Sequence, residues 1–252
     1  MTLAYQIRQH QLCTGISALS GGMLWMERTR SLIAADVHLA YEEVIGGALP
    51  LWSTQPSITT LCEGADALRA DEIILLGDVI HGAELSDGAR HRIGGALAAL
   101  RSRARLEIIA GNHEGRTRGA AVLGATHDRL ERDGWLLLHG DRTTLEGRAI
   151  IGHLHPSLHL GGKESVPVFL SSSRLIVVPA MTPYSSGLDV RGTDCMAVLS
   201  AWSITAKDVH VVAALPAELF ALGKLSTLRA ETSVATLSGG RGYRRKFLKP
   251  DR

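Results

Sequence analysis

Residues 72–78 read Glu72-Ile73-Ile74-Leu75-Leu76-Gly77-Asp78. A short run that is apolar at successive positions is expected of a strand covered on both faces. It ends in a glycine and a carboxylate, so it carries an acid group to the edge of a sheet, where a buried charge needs a compensating partner. Working outward, the same arrangement recurs. Upstream, Ser31 to Ala35 runs into Asp36-Val37-His38. Downstream, Leu106 to Ala110 leads to Gly111-Asn112-His113-Glu114, Trp135 to Leu138 to His139-Gly140, and Ala149 to Ile151 to Gly152-His153-Leu154-His155. Strands that end together present their loop residues along one common edge.

Helical patterns separate several of these runs. Pro56 opens one with Ile58, Leu61, Ala65 and Leu68 on a single face. Asp87 to Arg103 carries the stripe Ile93, Ala96, Leu97 and Leu100. Residues 119 to 132 read as a third helix, with Val122, Leu123 and Leu130 inward and Gly134 as its stop. This alternation is the mark of an α/β fold. Residues 1 to 22 are weakly patterned and close in the turn Ser20-Gly21-Gly22, and Met23 to Met26 reads as a strand. Beyond residue 155, Val166 to Leu170, Arg174 to Val178, Cys195 to Leu199 and Val209 to Ala213 read as short strands, and Ala217 to Leu222 as the one helix. A second, more antiparallel sheet packed on the first is expected. The chain is read as a single domain over residues 1–231 with a basic tail over 232–252.

The composition is that of a globular protein, with 45% hydrophobic and 21% charged residues among 252. No apolar run approaches the roughly 18 residues of a membrane span, and MTLAYQIRQHQ has no leader-like pattern. Cys13, Cys62 and Cys195 are scattered and odd in number, which argues against a disulfide framework and for a reducing cytoplasm. A net charge of +2 does not by itself imply a polyanionic partner. In the tail, Arg241, Arg244, Arg245, Lys246 and Lys249 surround Tyr243 and Phe247. That cluster reads as a solvated C-terminus or as a contact to a phosphate backbone.

The strand-end residues form a donor set. In an extended segment Asp36 and His38 point the same way and can share an ion. The Asp78 carboxylate has two oxygens and can bridge two ions; His81 either reaches the same site or lines the cleft. Gly111 permits a sharp turn, Asn112 offers a neutral oxygen, and Glu114 can hold the His113 ring and keep it protonated. A protonated imidazole there is suited to donating a proton to a leaving alkoxide. His153 and His155 alternate, so that each can serve a different ion. Seven donors suffice for two metal ions, a device for cleaving phosphate esters. Mixed nitrogen and oxygen ligands suit Mn, Fe, Zn or Co better than Mg or Ca.

The ordered set D-x-H, G-D, G-N-H-[DE], H and G-H-x-H, over residues 36 to 155, resembles the signature of the calcineurin-like metallophosphoesterases. The resemblance implies a four-layer α/β/β/α sandwich with two mixed β-sheets, the metallo-dependent phosphatase fold. It implies one ion on Asp36, His38 and His155, a second on Asn112, His139 and His153, and Asp78 bridging. His113 matches the family's catalytic His, paired with Glu114. DVHLAYEE, GDVIHG, GNHE, GHLHPSL and VVPAMTPYSSGLDV are similar to a small bacterial and archaeal subgroup that includes DNA-ligase-associated metallophosphoesterases. This similarity extends to about Val190, and it implies a manganese-dependent phosphodiesterase with a functional link to a ligase and a helicase. One departure is Ala40, where relatives commonly have Gly.

The expected activity is therefore hydrolysis of nucleotide-type or nucleic-acid-end phosphodiesters by a metal-bridged hydroxide. Alternatives are a phosphomonoesterase of the same mechanism and a non-catalytic interaction module on the same fold. A double-strand-break-repair nuclease of the same superfamily is a further alternative, disfavoured because such nucleases usually carry a capping domain and a coiled-coil partner, and the chain is too short for the cap.

Overall fold

The computed structural model describes residues 7–41, 54–81, 84–112, 114, 120–161, 164–182, 185 and 187–230. The expected tail, His113 and most of the loop 42–55 lie outside the described residues.

One sheet has six strands in chain order: β1 (Gln9–Cys13), β2 (Ile16–Leu19), β3 (Leu24–Met26), β4 (Ser31–Ala35), β5 (Glu72–Leu76) and β6 (Arg105–Ile109). The first four pair antiparallel, while β4, β5 and β6 are parallel. Parallel neighbours need crossovers, and these are α1 (Thr54–Leu68) and α2 (Asp87–Arg101). Ser86 caps α2, its Oγ accepting from the Ala89 N–H at 3.0 Å.

The second sheet comprises β7 (Leu130–Arg132), β8 (Trp135–Leu138), β9 (Arg148–Ile151), β10 (Pro156–Gly161), β11 (Glu164–Ser171), β12 (Leu175–Val177), β13 (Leu188–Asp189), β14 (His210–Ala214) and β15 (Leu219–Lys224). It too is mixed: β8, β9 and β12 are parallel, and β11, β14 and β15 antiparallel.

Because strand side chains alternate, each central strand contributes to two cores. Leu32, Ala34, Ile73, Leu75 and Ile108 face α1 and α2, meeting Ile58, Leu61, Ile93 and Leu97. Ile33, Ala35, Ile74, Leu76 and Ile109 face the other way, onto Leu137, Ile150, Phe169 and Ile176 of the second sheet. Ala149, Ile151, Val168, Leu170 and Val177 in turn cover Cys195 and Leu199 of α3 (Thr193–Ala201). Three cores between four layers make the expected α/β/β/α sandwich. No helix among the described residues is long and apolar enough to cross a membrane.

Four sequence expectations are corrected. Of the expected helix over 119–132, the described residues 120–132 are not helical throughout. A 3-10 turn at Ala120–Leu123 is followed by β7, which forms a hairpin with β8. Asp133 and Gly134 both have positive φ, 50° and 72°, the geometry of a two-residue hairpin turn that Asp-Gly favours. Cys195 to Leu199 is helical, because residues four apart both bury against the third core. Ala217 to Leu222 contributes not to a helix but to β15, paired along β14. The weakly patterned N-terminus holds β1 and β2.

Candidate metal centre

The parallel strands β4, β5, β6, β8 and β9 end side by side, and the loops beyond them stay zipped together. The His38 N–H donates to Asp78 O at 3.0 Å, and the Leu39 N–H to Val79 O at 2.7 Å, so the loops after β4 and β5 travel as a pair. The His153 N–H donates to Asp36 Oδ2 at 2.7 Å, joining the loop after β9 to the first sheet.

Two clusters result. Donor atoms of Asp36, His38 and His155 lie within 4.8 Å of one another, and so do those of Asp78, His139 and His153. Asp36 touches both, its Oδ1 3.4 Å from His155 Nε2 and 3.8 Å from His139 Nδ1. Asn112 joins the second cluster, its Oδ1 3.0 Å from His139 Nε2. All seven expected donors are thus brought together.

The glycines of the motifs make this approach possible. A Cβ on Gly77 would run into the His139 ring, and one on Gly111 into the Asp78 carboxylate. A Cβ on Gly152 would sit 2.7 Å from both Ala35 Cβ and Asp36 Oδ2. The backbone at these candidate donors is itself unusual. Asp36, His38, Asp78, His153 and His155 all have positive φ, between 44° and 65°, as does Ala40 at 62°. Non-glycine residues rarely occupy this region, and such strain gathers at functional sites. Ala40 therefore holds a backbone conformation that favours glycine, and its N–H donates to Thr54 Oγ1 at 3.0 Å.

The imidazoles are oriented from behind. His139 Nδ1–H donates to Leu76 O at 3.1 Å, so Nε2 is the ring nitrogen that faces the cluster. His155 Nδ1 meets Ser185 Oγ at 2.7 Å, and His38 Nδ1 meets His81 Nδ1 at 2.9 Å. The Nε2 atoms of His38 and His155 converge to 3.4 Å. Tying the outer ring nitrogen leaves the inner one for a cation. Ser185 was not singled out by sequence, although it lies in the quoted run VVPAMTPYSSGLDV; a lone Ser carries no spacing signal.

The electrostatics favour positive charge. Asp36 and Asp78 are 0% and 3% exposed, too buried for water to balance them. Burial alone would pull the His139 pKa down, but the Asp78 hydrogen bond and the Asp36 charge outweigh it and push it up to about 9. Burial and the His139 charge push the His153 ring down. Asp36 Oδ1 is buried and accepts no hydrogen bond. An orphaned carboxylate oxygen facing imidazole nitrogens suits a divalent cation, and two clusters of this kind fit a dinuclear centre.

Glu114 has partners beyond the one expected of it. Its Oε1 accepts from the Val79 and Ile80 N–H groups at 2.6 and 3.2 Å, and its Oε2 from the Gly111 N–H at 2.7 Å. It therefore fastens the Asp78 loop to the Asn112 loop. Burial pushes its pKa up against these N–H groups, and the Asp78 charge adds to the rise. Its pairing with His113 lies outside the described residues.

Among the described residues, two clefts flank the centre. One, of about 650 Å³, opens beside Asn112 and His139; the other, of about 420 Å³, opens beside His155.

No family model and no curated protein matches this sequence. Among solved structures, the nuclease MPE of Pseudomonas putida is similar, with a TM-score of 0.66 at 18% identity, over 86% of this chain and 100% of that one. That likeness shows a shared fold. The phosphoesterase YfcE of E. coli aligns at a TM-score of 0.34 and 13% identity, over 63% of this chain and 81% of that one, too weakly to bear on the fold.

Proposed function

We propose that the chain is a dinuclear-metal phosphoesterase, acting as a phosphodiesterase on nucleotide-type or nucleic-acid-end diesters. The observation that carries this reading is the pair of donor clusters meeting at Asp36, an acid with one buried oxygen left for a cation. Asp36, His38 and His155 would hold one ion, and Asn112, His139 and His153 the other, with Asp78 between them. Bound there, two divalent cations supply Lewis-acid polarisation of a phosphate and an acidified water. We take manganese as the working metal, with iron, zinc and cobalt compatible with the same donors.

The chain's own groups do the rest. Glu114 fixes the spacing of the Asp78 and Asn112 loops, and the ring partners of His38, His139 and His155 fix their rotation. His113 is assigned as the acid that protonates the leaving oxygen from its ring N–H. The fold shared with a nuclease supports a nucleic-acid-type substrate. The resemblance to ligase-associated proteins adds a proposed functional link to ligase and helicase, in the cytoplasm.

Turnover of bis(p-nitrophenyl) phosphate in Mn²⁺ tests the reading. The wild type should hydrolyse it, and Asn112→Ala and His113→Ala should abolish turnover. Undiminished turnover in both variants would sink the mechanism.

A further inference from the structure

The two clefts beside the centre differ in chemistry. The one next to Asn112 and His139 carries Asp128, Arg129, Asp141 and Arg142. The one next to His155 has no charged side chain among the described residues; His155 is its one ionisable group. Its walls include Pro167, Met181 and Leu215, and Ser165 supplies a hydroxyl. It lies between layers, with Gly21 and Gly22 from the first sheet's turn and Ala214 from the second sheet.

A phosphate or carboxylate moved into such walls would lose hydration without finding a counter-charge. A flat, uncharged ring would bury its faces against proline and aliphatic surface and meet the Ser165 hydroxyl at its edge. The cleft is of ligand size and continuous with a candidate metal ligand.

We propose that the cleft beside His155 is the subsite for the uncharged ring-bearing arm of the substrate diester, an aryl or nucleobase group. This assignment rests on the phosphodiesterase reading of the same centre.

Ser165 lies in β11 opposite His159, on the cleft wall, so Ser165→Trp fills the subsite from a strand that tolerates aromatics. The Mn²⁺-loaded full chain is assayed with thymidine 5′-(p-nitrophenyl phosphate) and methyl p-nitrophenyl phosphate, which differ in the retained arm. The wild type should favour the thymidine ester at least tenfold in kcat/KM, chiefly through KM, and S165W should bring that ratio towards one. Thymidine alone, titrated calorimetrically in EDTA, should bind the wild type at least tenfold more tightly than the variant. Should S165W melt early, the smaller Ser165→Leu should shift both readouts in the same direction. An unchanged ratio together with equal thymidine affinity overturns the subsite. Thymidine binding without turnover of either ester would instead overturn the phosphodiesterase reading and support the pocket.

Discussion

The Asp36 carboxylate accepts the backbone N–H of His153 at 2.7 Å, across 117 residues of sequence. One oxygen thus stitches the two sheets together while the other is left for a cation. The two roles can be separated. Asp36→Asn keeps an acceptor for the His153 N–H, whereas Asp36→Ala leaves that donor unpaired. Metal content by elemental mass spectrometry should fall in both variants. Only the alanine variant should also lose stability relative to the asparagine one, by about 1–3 kcal/mol in denaturant unfolding. Full metal content in Asp36→Ala would refute the assignment.

Gly77 has φ of 73° and packs directly under the His139 ring. Gly77→Ala meets both a backbone penalty of about 1–2 kcal/mol and a collision with that ring. Displacing the ring by a fraction of its width should cost about 100-fold in diester turnover. A variant with wild-type kcat/KM would show that His139 is not held where turnover needs it.

Ser185 touches His155 on the side away from the cluster. Ser185→Ala should weaken metal affinity by about 10–100-fold, read by competition with a fluorescent chelator. Ser185→Thr retains the hydroxyl and should recover most of that loss. Equal affinity in all three proteins would remove Ser185 from the ligand scaffold.

At the opposite edge of the first sheet, Glu72 is buried beneath Ser31, Arg105 and Arg132. Burial alone would raise its pKa, but the bonds from Arg132, Ser31 and Arg105 dominate and hold it at about 2, against an ordinary 4.5. A depressed carboxylate contributes stability that is complete above pH 4.5 and is lost as pH falls towards 2. Glu72→Gln should lack that part of the acid transition and be less stable at pH 7 by about 3 kcal/mol. Its acid-unfolding curve, followed by circular dichroism, should be flatter over this range. A curve parallel to the wild type would show that the ion pairs are inconsequential.

Much of this architecture was legible from sequence because the central parallel strands are continuous apolar runs with chemistry at their ends. Ile73 to Leu76 could hardly be anything but a doubly covered strand, and its Gly77-Asp78 ending places an acid. The second half was harder for a physical reason. Cys195 to Leu199 and Ala217 to Leu222 are short apolar stretches whose state is decided by tertiary partners, a third core in one case and β14 in the other. Val122, Leu123 and Leu130 mimic a helical face and Gly134 mimics a helix stop, whereas Asp133-Gly134 is the turn of a hairpin. At the site, residue types and spacing brought the donors into view. The backbone contacts of Glu114 and the hydroxyl of Ser185 were not legible, since neither leaves a periodic trace.

The left-handed backbone shared by His38, Asp78, His153 and His155 has a consequence for mutational tolerance. At each of these positions glycine is the substitution that best suits the chain conformation and offers nothing to a cation. In a saturation library scored separately for expression and turnover, glycine there should rank among the best-expressed variants and among the least active. Folding yield and catalysis therefore pull in opposite directions at these positions, and the native side chains are kept at the expense of an easier fold.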